Sequence, residues 1–145
     1  MKRLLIAVFT FVFVFSLNSY SEIKVGIILG FTGPIESLTP AMADSAELAF
    51  NEANSSGSLL KGESVSVIRA DSTCDNPSAA VSAAEGVISL GVVAIIGADC
   101  PGISQAILEN VTKPNGIVMI SPAETDASLT YLKDNDYFFR TTPSS

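Results

Sequence analysis

Val92-Val-Ala-Ile-Ile96 is an unbroken apolar run rich in β-branched side chains, closed by Gly97. A strand buried on both faces reads this way, and such strands belong to the middle of parallel sheets. The pattern on either side agrees. Upstream, Asn76-Pro77 marks a helix start, and Ala80, Ala83, Ala84, Val87 and Ile88 repeat at helical spacing. Before it, Ser64 to Ala70 reads as a strand, followed by a polar loop from Asp71 to Asp75. Earlier still, Thr39-Pro40 predicts an N-cap with proline in the first turn. Met42, Ala46, Ala49, Phe50 and Ala53 carry that helix to about Asn54. Ile23 to Leu29 is the first strand, and Gly30 to Pro34 the turn that ends it.

Downstream of Val92–Ile96, a helix is predicted over about Ile103 to Thr112 and a strand over Gly116 to Ile120. A short helix over Thr125 to Lys133 and a strand over Tyr137 to Arg140 follow. Strands alternating with helices through short loops predict an α/β fold, a doubly wound parallel sheet with helices on both faces. Ligands of such sheets lie at the carboxyl ends of the strands. The candidate loops are therefore Phe31–Leu38, Asp99–Ser104 and Ser121–Asp126.

Composition narrows the chemistry. Among 145 residues there are 8 basic and 15 acidic side chains, a net charge of −7, and no histidine or tryptophan. That balance opposes nucleic-acid binding, which needs clustered Lys and Arg on phosphate. Without histidine no imidazole can act as base or ligand. Two cysteines cannot make a four-thiolate zinc site. Gly30-Phe-Thr-Gly33 is neither a dinucleotide fingerprint nor a phosphate loop with its lysine. Asp71 ends a strand, where a phospho-acceptor could sit, but Gly30 and Phe31 occupy the place of the further acids that such chemistry requires. No catalysis, cofactor or metal is implied.

Lys2 and Arg3 precede an apolar run from Leu4 to Leu17, and small residues Ser19 and Ser21 flank a junction after Ser21. This is the secretory leader pattern, with residues 1–21 removed on export. The run is shorter than the roughly 20 residues a spanning helix needs. An exported chain permits disulfides, and Cys74 and Cys100 are the only pair; two buried free thiols are the alternative. Ser121, Glu124 and Thr125 crowd one strand end. They read either as a polar cradle for a small zwitterion or anion, or as helix capping by Thr125 or Asp126.

With these loops in view the sequence resembles the leucine/isoleucine/valine-type substrate-binding proteins of ATP-driven (ABC) amino-acid importers. The likeness runs from about Ile23 to the end and rests on features in order: Gly33-Pro34, Ala49-Phe-Asn-Glu-Ala-Asn54, Asp71-Ser-Thr-Cys-Asp75 before Pro77, Ile95-Ile-Gly97, Ser121-Pro122 with Thr125, and Phe138-Phe-Arg-Thr141. The cysteine placement matches members that bridge the loop after the second strand to the loop after the third, which implies a Cys74–Cys100 bond.

The resemblance implies two α/β lobes closing over a ligand in the periplasm. Residues 22–145 would be the N-terminal lobe of a longer, truncated protein. It also implies partners: a small-molecule ligand such as an amino acid or amide, and the permease subunits of an ABC importer. In site residues it implies Thr125 as an anchor for the ligand carboxylate. Glu124 stands in place of a small residue whose carbonyl faces the ammonium, and Leu38 lies near a side-chain-contacting aromatic. The family's second carboxylate-binding residue, a serine, falls on Pro101, which has neither hydroxyl nor N–H. Gly102 and Ser104 are the nearest replacements. The ligand-binding ectodomain of a sensory receptor is the alternative function, since receptors reuse this fold.

Overall fold

A computed structural model describes residues 22–58 and 63–145. The expected leader, residues 1–21, lies outside the described residues. The chain runs β1 (Glu22–Leu29), α1 (Thr39–Ser56), β2 (Ser64–Asp71), α2 (Pro77–Ser89), β3 (Ala94–Gly97), α3 (Pro101–Ile107), β4 (Val118–Ser121) and β5 (Phe138–Arg140). All neighbouring strands are parallel, in the order β2-β1-β3-β4-β5. This is the doubly wound α/β sheet predicted from the sequence. Its register places Ile27 beside Arg69 and Ile96, and Met119 beside Ile95 and Phe138.

Strand periodicity sends alternate side chains to opposite faces. On one face Ile28, Ile95, Met119 and Phe138 meet Ala80, Ala84 and Val87 of α2 and Ile103 and Ile107 of α3. The alanines at 80 and 84 have no exposed surface, so α2 lies close on the sheet. On the other face Ile27 and Leu29 pack on Ala43 of α1, with Met42, Ala46, Val67 and Ile96 around them. Among the described residues α1 alone covers this face. Farther along it, Ile120 and Phe139 are 38% and 48% exposed, beside a shallow apolar depression lined by Met42, Ala46, Ile96, Ile120, Pro122 and Thr141.

Three local details differ from the sequence reading. Thr39 does not cap α1. It is the first helical residue, and its fully buried hydroxyl donates to the Gly30 carbonyl at 2.9 Å, tying the helix to the end of β1. The helix after β3 starts earlier than expected, at Pro101, and its last part, Leu108–Thr112, widens into a π turn. The segment expected as a short helix over 125–133 is a 3₁₀ turn, Ala127–Tyr131, capped by Asp126. The cap read at Asn76 is present, its side chain accepting the Ala79 N–H at 3.1 Å. At the far end of α1, Asn54 holds the edge strand β2 by a paired amide contact. Its Nδ2 donates to the Val65 carbonyl and its Oδ1 accepts the Val65 N–H, both at 2.8 Å.

Candidate functional site

β1 pairs with β2 on one side and β3 on the other, so the chain leaves its carboxyl end in opposite directions. A crevice opens above such a point, walled by the loops that follow the strands. Here those loops are tied to one another. Asp71, at the end of β2, accepts the Thr32 N–H (3.2 Å), the Thr73 N–H (2.8 Å) and the Thr32 hydroxyl (2.5 Å). Asp99, after β3, accepts the Gly30 N–H at 2.9 Å through Oδ2. Cys74 and Cys100 are joined in a disulfide with Cα atoms 5.5 Å apart, linking the loop after β2 to the start of α3 as the family resemblance implied. Gly33 has φ +94°, and a Cβ there would press on the Thr73 carbonyl oxygen, so this turn closes only without a side chain.

The loop after β4 is held as firmly. Ser121 Oγ donates to the Ala98 carbonyl at 2.5 Å and accepts the Glu124 N–H at 3.1 Å. Ser104, on α3, donates its hydroxyl to Glu124 Oε1 at 2.5 Å, and both residues are about 1% exposed. The Thr142 hydroxyl takes the Glu124 carbonyl at 2.5 Å, and the Ser145 N–H and hydroxyl take the Thr125 carbonyl at 2.8 Å. Arg140 donates to the Asp126 carbonyl at 2.9 Å and the Thr130 hydroxyl at 2.7 Å. Asp126, not Thr125, caps the following turn. Thr125 is left exposed, its N–H and hydroxyl without a partner among the described residues.

Electrostatics follow from burial. Desolvation pushes the Glu124 carboxyl up; the Ser104 hydroxyl and Arg140 pull it down, while Asp99 and Asp126 add to the rise. Desolvation also pushes Asp99 up, against the Gly30 N–H and the nearby Ser72 hydroxyl. Ser72 lies close enough to favour the charged form without a hydrogen bond of good geometry, and Asp99 Oδ1 is likewise buried without a partner among the described residues. Burial acts the same way on Asp71. There the Thr32 hydroxyl and the N–H groups of Thr73, Thr32 and Phe31 outweigh it, and the carboxyl is lowered.

Of the residues singled out from sequence, Glu124 and Ser104 are brought into direct contact, both turned inward. Thr125 stands exposed next to them, and Gly102 is exposed at the second position of α3. Leu38 is 56% exposed on the separate loop before α1, joined to this group by no hydrogen bond among the described residues. Asp99 and Ser72 were missed. Asp99 offered a signal: a carboxylate placed directly after a buried strand cannot reach bulk water easily and must find donors. Phe31, in the first loop, was missed as well; its ring lies 5.8 Å from the Arg69 guanidinium, which also bridges Asp44 and Glu47 of α1 at 2.6 Å each.

The family model for periplasmic binding proteins matches residues 22–145. The Leu/Ile/Val-binding protein of Escherichia coli K12 is 31% identical over 109 residues, which is 75% of this chain and 29% of that protein. Two solved structures are similar in fold. The branched-chain amino acid transporter substrate binding protein LivJ of Streptococcus pneumoniae, in complex with isoleucine, superposes with a TM-score of 0.75 at 27% identity, covering 86% of this chain and 34% of its own. An ABC transporter substrate-binding protein of Desulfitobacterium hafniense, in complex with Leu, gives 0.71 at 30% identity, covering 86% and 35%. This chain thus spans about a third of the length of the proteins it matches.

Proposed function

The chain belongs to the periplasmic binding protein family, and from that membership we propose that it forms the N-terminal lobe of an exported solute-binding protein serving an ABC importer. Residues 1–21 act as its leader, and the lobe works in the periplasm. It captures an amino acid or related small polar solute and delivers it to permease subunits, without catalysis. The observation that carries this reading is the state of Thr125. Its loop is tied to the fold through the Glu124 N–H and the Glu124 and Thr125 carbonyls, while Thr125 itself is exposed and its own N–H and hydroxyl have no partner among the described residues. Two unpaired donors on a loop tied down in this way suit a polar solute. Gly102, exposed at the second position of α3 with nothing within 4 Å of where a Cβ would stand, lets a ligand approach the backbone closely.

One lobe encloses a ligand on one side only. Affinity for this chain alone is therefore millimolar or weaker, about 4 kcal/mol short of micromolar binding. The test is a titration of the ¹⁵N-labelled chain with a panel of amino acids and amides, followed through backbone amide shifts. Shifts confined to the loops around Gly30, Gly102 and Thr125, lost in Thr125→Ala, are expected. A panel that leaves those amides unmoved refutes the reading.

A further inference from the structure

The loop that carries Thr125 is gripped by its carbonyls, and from one stretch of chain. Among the described residues, five of the six carbonyls from Ser121 to Asp126 accept donors from Arg140–Ser145. The Thr141 N–H goes to the Ser121 carbonyl at 3.1 Å, and its hydroxyl reaches the same oxygen at 3.5 Å and the Pro122 carbonyl at 3.4 Å. The Thr142 hydroxyl takes Glu124, the Ser145 N–H and hydroxyl take Thr125, and Arg140 takes Asp126. The gripping stretch has no apolar anchor of its own. Thr141, Pro143, Ser144 and Ser145 are exposed, and none of residues 141–145 joins either apolar cluster. Pro143 fixes φ between the two hydroxyl anchors and stiffens the link between them.

We propose that Thr142 is the positioning residue of the solute site, and that Thr141–Ser145 is a strap whose seating on the loop and solute binding at Thr125 stabilise each other. This rests on the solute-binding reading above and adds the device that sets its affinity. The Glu124–Thr125 peptide is trans and planar, so its C=O and N–H point in opposite directions. With that carbonyl pinned by the Thr142 hydroxyl at 2.5 Å, the Thr125 N–H is aimed away from the strap before any solute arrives. Ser145 pins the next peptide plane in the same way, through the Thr125 carbonyl. A donor aimed in advance spares the ligand the cost of ordering the loop. The strap is exposed and held by hydrogen bonds alone, which places it at the low-stability end of the fold, where seating is readily reversed. Linkage then runs both ways: a solute on Thr125 favours the seated strap, and displacement of the strap weakens the site.

Thr142→Val removes the hydroxyl and keeps the side-chain shape, and Thr142→Ser keeps the hydroxyl. Both are made in the full ¹⁵N-labelled chain and followed by amide hydrogen exchange and by titration with L-leucine and L-glutamine. Loss of this one bond is expected to speed exchange of the Glu124 and Ser145 amides about three- to ten-fold, with the Met119 amide in β4 unchanged. Thr142→Ser brings the rates back. A solute that moves the Thr125 amide of the unaltered chain needs at least about three-fold more to half-saturate Thr142→Val, regains its affinity in Thr142→Ser, and at saturation slows exchange at Ser145. Unchanged exchange in Thr142→Val overturns the strap and leaves the solute site standing. Faster exchange with unchanged half-saturation overturns the positioning role. If neither solute moves the Thr125 amide of the unaltered chain, the positioning role falls together with the solute reading.

Discussion

Replacing Cys74 and Cys100 together by alanine tests how the crevice is built. The bridge spans 26 residues, and closing a loop of that length in the unfolded chain contributes about 3.5 kcal/mol in the chain-entropy model. Part of this is offset in the folded state. Thr73 and Cys74 have φ of 60° and 68°, the left-handed region that disfavours side chains with a Cβ, and releasing that turn returns about 1–2 kcal/mol. The net loss is about 1.5–2.5 kcal/mol, which for a domain of this size lowers Tm by roughly 6–10 °C. Calorimetric melts of the double variant, and of the unaltered chain with and without reductant, measure it. A fall below about 3 °C, or equal melting of oxidised and reduced protein, would refute the view that this crosslink holds the loops after β2 and β3 together.

Glu124→Gln keeps the Ser104 bond and removes a desolvated charge. The folded-state pKa of Glu124 is raised, so its contribution to stability is full below the ordinary carboxylate range and is lost as pH rises through the folded value. The variant therefore melts higher than the parent at neutral pH and with a flatter acid-to-neutral profile, measured by circular dichroism across pH. Asp71 has the opposite sign: its lowered carboxyl gives stability above the ordinary range that fades as pH falls, and Asp71→Asn removes that acid dependence. Gly33→Ala forces a Cβ onto the Thr73 carbonyl at φ +94° and costs about 2 kcal/mol or more in urea unfolding. Ile27→Ala empties a fully buried position under α1 and costs about 2–5 kcal/mol by the same measurement, whereas Val93→Thr, 60% exposed, stays within about 0.5 kcal/mol.

The elements were legible because their signals are local. The run from Val92 to Ile96 announces a central parallel strand by its side chains alone, although the strand itself starts only at Ala94 and Val93 is left exposed, and Asn76-Pro77 carries its own capping chemistry. What escaped was long-range hydrogen bonding. Thr39 has the sequence of an N-cap, but nine residues back the Gly30 carbonyl competes for its hydroxyl and wins because both are buried. Glu124 reads on paper as charge beside a ligand. In the fold, Ser104 from a different element draws it inward. Spacing along the chain carries none of these partnerships. They exist only once the sheet brings the ends of β1, β3 and β4 to one edge.

The half-dressed face of the sheet governs how copies of this chain behave in company. Net charge of −7 pushes molecules apart at low ionic strength, while the stripe through Ile120 and Phe139 rewards face-to-face contact. Salt shifts that balance in one direction only. The range of repulsion shrinks from about 10 Å at 0.1 M to about 3 Å at 1 M, and sulfate or phosphate strengthens apolar burial as it does so. Ammonium sulfate is therefore expected to collect this chain earlier than an acidic domain of equal size with both sheet faces covered.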